Sequence, residues 1–405
     1  MANVFKTKAD GDVLRKLLAS FINNTPFLKT INNQHDGRFG VEGAKNGGTL
    51  LVREPAEFTV RSGDVMDVQD ISEATQSFTV ATRRGIDIET SSYERLMSLD
   101  DEADRLIEPM MQKLGAEVEY TILSDVYKKI FNLVGTPATT PASQLAILNA
   151  NARLSESLAP SGDRSLLVTS GAMAALANAV GLYLHKGDEI SRAFTRGYIG
   201  EAANMKWYET DMIPNHTNGT RDDTTPVCNT STGITSGSAL IITTGADGTM
   251  AEGDIFTIAD VYAINRQTKQ RYSYLQQFVI RAAITNDGTD TWTVSPIPTT
   301  SGAKQNVELV SAGAGKAIVN VAAGGSGAAS LVSAQNLAYH RDFCTFVTAD
   351  QYVAPNLRMT QKRIDNISMR LWVGDDIKND KFPVRLDVLF GWLVQRPEWA
   401  ARVRG

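Results

Sequence analysis

The spacing of apolar residues changes character several times along the chain. Between Asp12 and Ile22, the residues Val13, Leu14, Leu17, Leu18, Phe21 and Ile22 recur at helical spacing, and Asn23, Asn24, Thr25 and Pro26 stop the pattern. A short amphipathic helix is predicted there. Asn32 to Gly48 follows as a polar stretch containing Gly37, Gly40, Gly43, Gly47 and Gly48, too polar to hold a core of its own. It reads as an extended arm. From Thr49 the spacing shortens to two: Leu50, Leu51 and Val52, then Phe58 and Val60, later Phe78, Val80, Ile86 and Ile88. This predicts a long two-stranded excursion. Its middle carries Asp64, Asp67, Asp70 and Glu73 with no basic residue between them, and Arg53, Arg61, Arg83 and Arg84 flank it. Such a run reads either as a solvated hairpin tip or as a charged arm that docks on a neighbour.

Ser98, Asp100 and Asp101 offer caps for a helix reaching to about Phe131, whose stripe is Ile107, Met111, Leu114, Val118, Ile122 and Val126. Steps of three and four put these on one face, and Pro109 belongs in a first turn or at a kink. At 1.5 Å per residue the helix spans about 30–45 Å, longer than a compact core needs. It reads as a spine. After the break at Thr136 to Pro141, a shorter helix carries Leu145, Leu148 and Ala152. A buried strand, Leu166 to Thr169, and an Ala-rich helix from Ala172 to Val180 come next. From Asn215 to Gly237 the composition turns to Thr, Asn, Ser and Gly. Between Ala239 and Ala323 short strand patterns follow one another, at Leu240–Thr243, Ile255–Tyr262, Leu275–Ile284, Trp292–Ile297, Val307–Val310 and Ile318–Val321. This spacing predicts a small barrel. Mixed structure resumes at Leu337–Val347 and Met369–Val373, and Leu386, Val388, Phe390 and Trp392 alternate along a closing strand. Because structure lies on both sides of it, the barrel reads as an insertion.

These shifts divide the chain into an N-terminal arm at 1–48, an extended loop at 49–95 and a spine-helix domain at 96–135. A central mixed domain comes from 136–236 and 324–384, the barrel fills 237–323, and 385–405 forms the closing strand and tail. A length of 405 residues with 42% hydrophobic content is enough for several cores. The net charge of −5 argues against a broad basic face for gripping nucleic acid. Arg15 and Lys16 interrupt the first apolar stretch, so no secretory signal or membrane span is expected. Cys228 and Cys344 stand far apart, which argues against a disulfide framework or a thiolate metal site.

Searching for chemistry yields decoys. His35, His185, His216 and His340 are scattered and read as surface or satisfied polar residues. His340, Arg341 and Asp342 imitate a kinase catalytic loop, but Val347 stands where that loop needs Asn. Gly313 to Lys316 hints at a phosphate loop, yet Val310 and Ala317 occupy its other required positions. No catalytic residue, cofactor or metal is expected.

Specific segments point to a family: Pro160, Arg164 and Leu166–Val168; Gly197, Tyr198, Ile199 and Gly200 through Tyr208; Met212, Ile213 and Pro214. Inside the barrel they are Glu252, Gly253, Asp254, Ile255, Phe256, Thr257, Ile258 and Val261, then Leu275 to Val279. Near the end stand Arg385, Leu386, Asp387, Arg396, Pro397 and Glu398. In order and kind these resemble the major capsid proteins of tailed bacteriophages, in particular the coat proteins of short-tailed phages with an inserted barrel. One departure is Ala203-Asn204-Met205, where many relatives have an Ala-Gly-Phe-like turn. The resemblance implies an α+β Johnson fold with N-terminal arm, extended two-stranded loop, spine helix, central mixed domain and inserted β-barrel. It implies a shell of hexamers and pentamers, assembled in the host cytoplasm with a scaffolding protein and a portal, with or without a decoration protein. The shell would enclose double-stranded DNA without sequence-specific binding and without a membrane. Arg53, Arg61, Asp64, Asp67, Asp70, Glu73, Arg83 and Arg84 are the candidate inter-subunit contacts. Two other readings stay open from sequence: a receptor-binding or tail protein that binds through the barrel, and an enzyme with an unrecognised carboxylate dyad.

Overall fold

The computed structural model describes Leu18, Phe21 and residues 25–36, 49–54, 57–61, 63–66, 68–69, 75–91, 108–181, 201–221, 226–245, 248–285, 287–311, 313, 315–321, 330–351, 353, 359–364, 366–374, 376, 378–379 and 381–405. The chain forms two compact units. The first takes Met1–Arg53, Thr75–Ile122 and Cys344–Gln395, and the second Glu54–Ala74, Leu123–Phe343 and Arg396–Gly405.

In the first unit a six-stranded sheet runs in the order Asn32–Asp36, Cys344–Ala349, Lys381–Val394, Ile367–Val373, Met359–Ile364, and Thr82–Ser91 also pairs with Lys381–Val394. Leu386, Val388 and Phe390 alternate on its long strand and are buried, as a half-covered strand requires. The polar arm segment Asn32–Asp36 is itself a strand, parallel to Cys344–Ala349. Its backbone ladder to that strand places it there. The excursion is shorter than its pattern suggests. Thr49–Arg53 pairs with Thr75–Thr79, whereas Ile86 and Ile88 belong to the large sheet, and Phe58 and Val60 lie in no strand.

The spine helix is described as Glu108–Val126, with Pro109 in its first turn and a 3₁₀ turn, Tyr127–Lys129, continuing it. Met111, Leu114, Val118, Ile122 and Val126 are buried, so the described part of the predicted stripe is the packed face, and Ile107 lies outside the described residues. The capping residues Ser98, Asp100 and Asp101 lie outside the described residues. Of the first helix, Leu18 and Phe21 are described, helical and fully buried.

In the second unit the sheet order is Asn132–Val134, Ala400–Val403, Asn336–His340, Arg164–Val168, Met205–Glu209, Glu201–Ala202. Arg164–Val168, the helix Ser170–Gly181 and the parallel strand Met205–Glu209 make a strand–helix–strand crossover. Ile147, Leu154, Leu166, Val168, Leu176, Trp207 and Val403 fill its core. Ala203 and Asn204, both with positive φ (53° and 59°), form the tight turn between Glu201–Ala202 and Met205–Glu209. Two left-handed residues in succession give the twist that a two-residue hairpin needs.

The barrel is a closed ring of six strands: Arg271–Ile280, Gly288–Ser295, Leu240–Gly245, Val227–Cys228, Lys316–Asn320 and Ile255–Ile264, which returns to Arg271–Ile280. A seventh strand, Val307–Leu309, pairs beside the ring. Ile255–Ile264 changes partner midway, and the bulge there is centred on Asp260 with φ 64°. Trp292 packs edge-on to Phe256 at 5.1 Å, and Phe278 stacks on the same ring at 5.7 Å. Closure removes the open edges that would otherwise invite strand pairing. Among the contacts that tie the barrel to the rest of its unit are two polar clusters. The Gln277 amide bonds both the N–H and the C=O of Leu133, at 2.8 and 3.1 Å. Tyr274 donates to Glu156 at 2.8 Å beneath the Arg153 guanidinium, 3.4 Å over its ring.

Candidate functional site: the hairpin tip and the buried charge clusters

Beyond the paired base of the excursion lies a tip whose described apolar residues face solvent. Val60 is 98% exposed and Phe58 62%, with Val65, Met66 and Val68 similarly open. Because no ladder joins its limbs here, the Gln69 amide substitutes for one, accepting from Thr59 N–H at 2.8 Å and donating to Thr59 C=O at 2.6 Å. Arg61 donates to the carbonyls of Gly63 and Val65 and so turns inward on the tip itself. Asp64 is exposed; Asp67, Asp70 and Glu73 lie outside the described residues. Within the second unit Glu57 reaches Arg266 across 4.0 Å. Residues 57–60 line an open cleft of about 740 Å³ with Ser157, Lys269, Arg396 and Trp399. Arg266 is held more closely by Glu398, at 3.3 Å, so its long reach to the exposed Glu57 is worth little, and so large a cleft means that the tip is not tightly packed there.

Arg53 and Arg84 are exposed on their strands, while Arg83 joins a cluster absent from the sequence reading. Asp387 is 1% exposed and accepts from Arg83 at 2.5 Å, Arg370 at 2.7 Å and Arg385 at 3.0 Å. Burial alone would push its carboxyl up, but the three guanidinium hydrogen bonds outweigh that and hold it below its ordinary 3.8. The register explains the gathering. Asp387 lies opposite Arg370 on one side and Gly85 on the other, and Arg385 stands two residues away on the same face. A Cβ on Gly85 would come within 2.5 Å of Leu386 O and 2.6 Å of Asp387 Oδ1. Gly85→Ala is therefore expected to cost about 1–3 kcal/mol by overpacking, read as a lowered midpoint in urea unfolding of the first unit.

A second buried cluster lies in the other unit. His216 donates from Nε2 to Asp254 at 2.9 Å, and Tyr127 Oη lies 3.3 Å from Nδ1. A histidine–carboxylate pair of this kind is a catalytic motif only beside a nucleophile with access to substrate. His216, Asp254 and Tyr127 are all buried. His340 is also buried, edge-on to Trp399 at 5.4 Å, so neither described imidazole side chain is a surface residue. Lys316, of the phosphate-loop lookalike, pairs with Asp260 at 2.5 Å. Among the described residues no group of His, Cys, Asp or Glu is placed to hold a metal ion, and no helix is long and apolar enough to cross a membrane.

A spine helix, a two-stranded hairpin whose described apolar tip residues are exposed, and a closed barrel inserted into an α+β body define a coat subunit of the Johnson fold. The chain belongs to the P22 coat protein family, described as "P22 coat protein - gene protein 5", whose profile matches residues 2–403. It is thus a major capsid protein, a structural component of the virion that builds a phage's icosahedral shell and not an enzyme. The receptor-binding and dyad-enzyme readings give way to that membership. No curated protein matches the chain. Solved structures that it resembles include Mycobacterium phage Che8 (11% identity over 94% of this chain and 89% of that one, TM-score 0.47). Others are the capsid of cyanophage P-SCSP1u (10%, 94% and 88%, TM-score 0.45) and the mature capsid of bacteriophage PhiM1 (11%, 100% and 91%, TM-score 0.44).

Proposed function

We propose that this subunit assembles into hexamers and pentamers, with a scaffolding protein and a portal, around double-stranded DNA, and that the hairpin tip makes the contact between subunits. The observation that carries this reading is the tip itself. Five apolar side chains, Phe58, Val60, Val65, Met66 and Val68, are displayed to solvent at the end of a hairpin that gains little from the body of its own unit. An exposed apolar cluster with a charged rim is a mark of an interaction surface. Asp64, Asp67, Asp70 and Glu73 meet basic residues of an adjacent copy, and Arg53, Arg61, Arg83 and Arg84 flank the contact. Individually weak contacts of this sort let misplaced subunits leave, and a closed shell gains durability because each copy engages several neighbours at once. A mildly negative chain also suits a container that holds DNA without adhering to it. A decoration protein on the outer surface is compatible with the same reading.

Two substitution sets test it. Reversing Asp64, Asp67, Asp70 and Glu73 to Lys should leave the circular dichroism of the monomer unchanged while sedimentation, with scaffolding protein added, shows no closed shells. Changing Phe58 and Val60 to Ser should alter monomer stability by less than about 0.5 kcal/mol, as for surface sites, and likewise suppress shells. Normal shells from both variants would mean that the tip is only a solvated loop.

A further inference from the structure

The cluster around His216 sits where the inserted barrel joins its body. His216 belongs to the short strand Asn215–Thr217, which enters the barrel, and Asp254 opens the barrel strand Ile255–Ile264. Tyr127 comes from the turn after the spine helix, and Arg402 from the strand Ala400–Val403. Asp254 is fixed on its far side by the N–H groups of Gly219 at 2.9 Å and Ala251 at 2.7 Å. Arg402 donates to Gly253 O at 2.8 Å and lies 5.3 Å from the Tyr127 ring. Gly253, at φ 100°, closes the gap: a Cβ there would stand 3.3 Å from His216 Cε1 and 3.5 Å from Tyr127 Cε2.

We propose that His216, held between Asp254 and Tyr127 and backed by Arg402, is a pH-sensitive latch that fixes the barrel to its body while the imidazole is neutral and lets go when it gains a second proton. In the closed latch Nε2–H donates to Asp254 and Nδ1 accepts from the Tyr127 hydroxyl. Protonation makes Nδ1 a donor. Tyr127 must then turn its own hydrogen away, and a new cation appears in a site closed to water. The groups facing it do not compensate. Asp254 is the carboxylate at the imidazole; Arg402 and Arg404 are both buried cations; Lys128 and Glu252 cancel at the rim, 3.0 Å apart; Arg281 adds a further positive charge. The paired strand Val332–Ala334 brings no ionisable group. Among the described residues Arg402 Nε and Nη2 have no hydrogen-bond partner, so the cation already beside the imidazole is itself incompletely compensated. Burial, aided by Arg402 and Arg404 and opposed by Asp254, lowers the titration of His216 below its ordinary 6.5.

The sign follows. A group that binds its proton less well in the folded state stabilises fully above its unfolded value, and the stability is lost as pH falls below that value. The latch is therefore closed at neutral pH and opens on the acid side of 6.5. Hydrogen exchange on the full chain tests this. Amides of 215–221 and 250–256 should exchange roughly tenfold faster at about pH 5 than at about pH 7.5, corrected for intrinsic rate. Amides of 359–373 in the other unit should not change and serve as the control. His216→Gln keeps polar ends but cannot titrate, so it should abolish the pH difference. Tyr127→Phe removes the hydroxyl that favours neutral Nδ1, so it should move opening to higher pH even where His216→Gln fails to fold. Equal exchange in the parent chain at both pH values would overturn the latch. So would a full pH response in His216→Gln, or an unmoved or lowered midpoint in Tyr127→Phe.

Discussion

Asp387→Ala is expected to destabilise the first unit by about 3–5 kcal/mol, the cost of breaking a buried ion pair by removing one partner. The carboxylate receives three arginines, and they differ in what its loss does to them. Arg83 and Arg385 are each 42% exposed and can turn to water; Arg370, at 9%, stays buried after losing this carboxylate. Replacing both members, as in Arg370→Met with Asp387→Leu, should recover part of the loss, because a buried cation and the carboxylate it bonds are then removed together. Two-unit chains seldom unfold in one step, so residue-resolved hydrogen exchange across 359–373 and 381–394 in urea is the suitable measure. A loss below about 1 kcal/mol, the scale of an exposed pair, would show that the cluster is a surface feature after all. The direction of its titration adds a test by pH. With Asp387 held below 3.8, its contribution is complete above that value and disappears as pH falls through and below it. Acid should therefore loosen the barrel junction around His216 first and the sheet around Asp387 later.

Neither cluster was legible in the sequence, and the reason is distance along the chain. Arg83 and Asp387 are separated by 304 positions and His216 and Asp254 by 38. The register of Thr82–Ser91 on Lys381–Val394 brings the first pair together, and the packing at the barrel junction the second. The one local signal was Arg385-Leu386-Asp387, where a period of two places both charges on the face opposite Leu386, Val388 and Phe390. Elements with a strong period were legible: the spine stripe from Met111 to Val126, the barrel strands, and the closing strand. Pattern misled where pairing, not side-chain identity, decides. Phe58 and Val60 alternate like a strand yet have no strand partner among the described residues, whereas Asn32–Asp36 looks like loop and is a strand because Cys344–Ala349 receives it. Val227–Cys228 hides in a Thr- and Asn-rich stretch, although its two residues close the barrel between Leu240–Gly245 and Lys316–Asn320.

The last strand was hidden for a different reason, and it sets up the largest effect. Ala400–Val403 follows Pro397 and shows no alternation because both of its faces are covered: Ala400, Ala401, Arg402 and Val403 are all buried. It lies between Asn336–His340, antiparallel, and Asn132–Val134, parallel, and so carries ladder bonds on both edges. Gly135, at φ 91°, gives it room, since a Cβ there would collide with the backbone of Arg404 and Gly405. Deleting residues 400–405 would orphan two ladders, open the core between Leu166, Ala338 and Val403, and remove the Arg402 bond to Gly253 at the barrel junction. Each buried backbone group left unpaired costs about 1–3 kcal/mol, and together these losses match the whole stability of a domain, about 5–15 kcal/mol. The truncated chain is expected to be insoluble, or to lose exchange protection throughout Asn336–His340 and Arg164–Val168, while Lys381–Val394, in the other unit, keeps its own. A soluble truncation with native protection in Asn336–His340 would mean that the strand is an accessory to the sheet and not its centre.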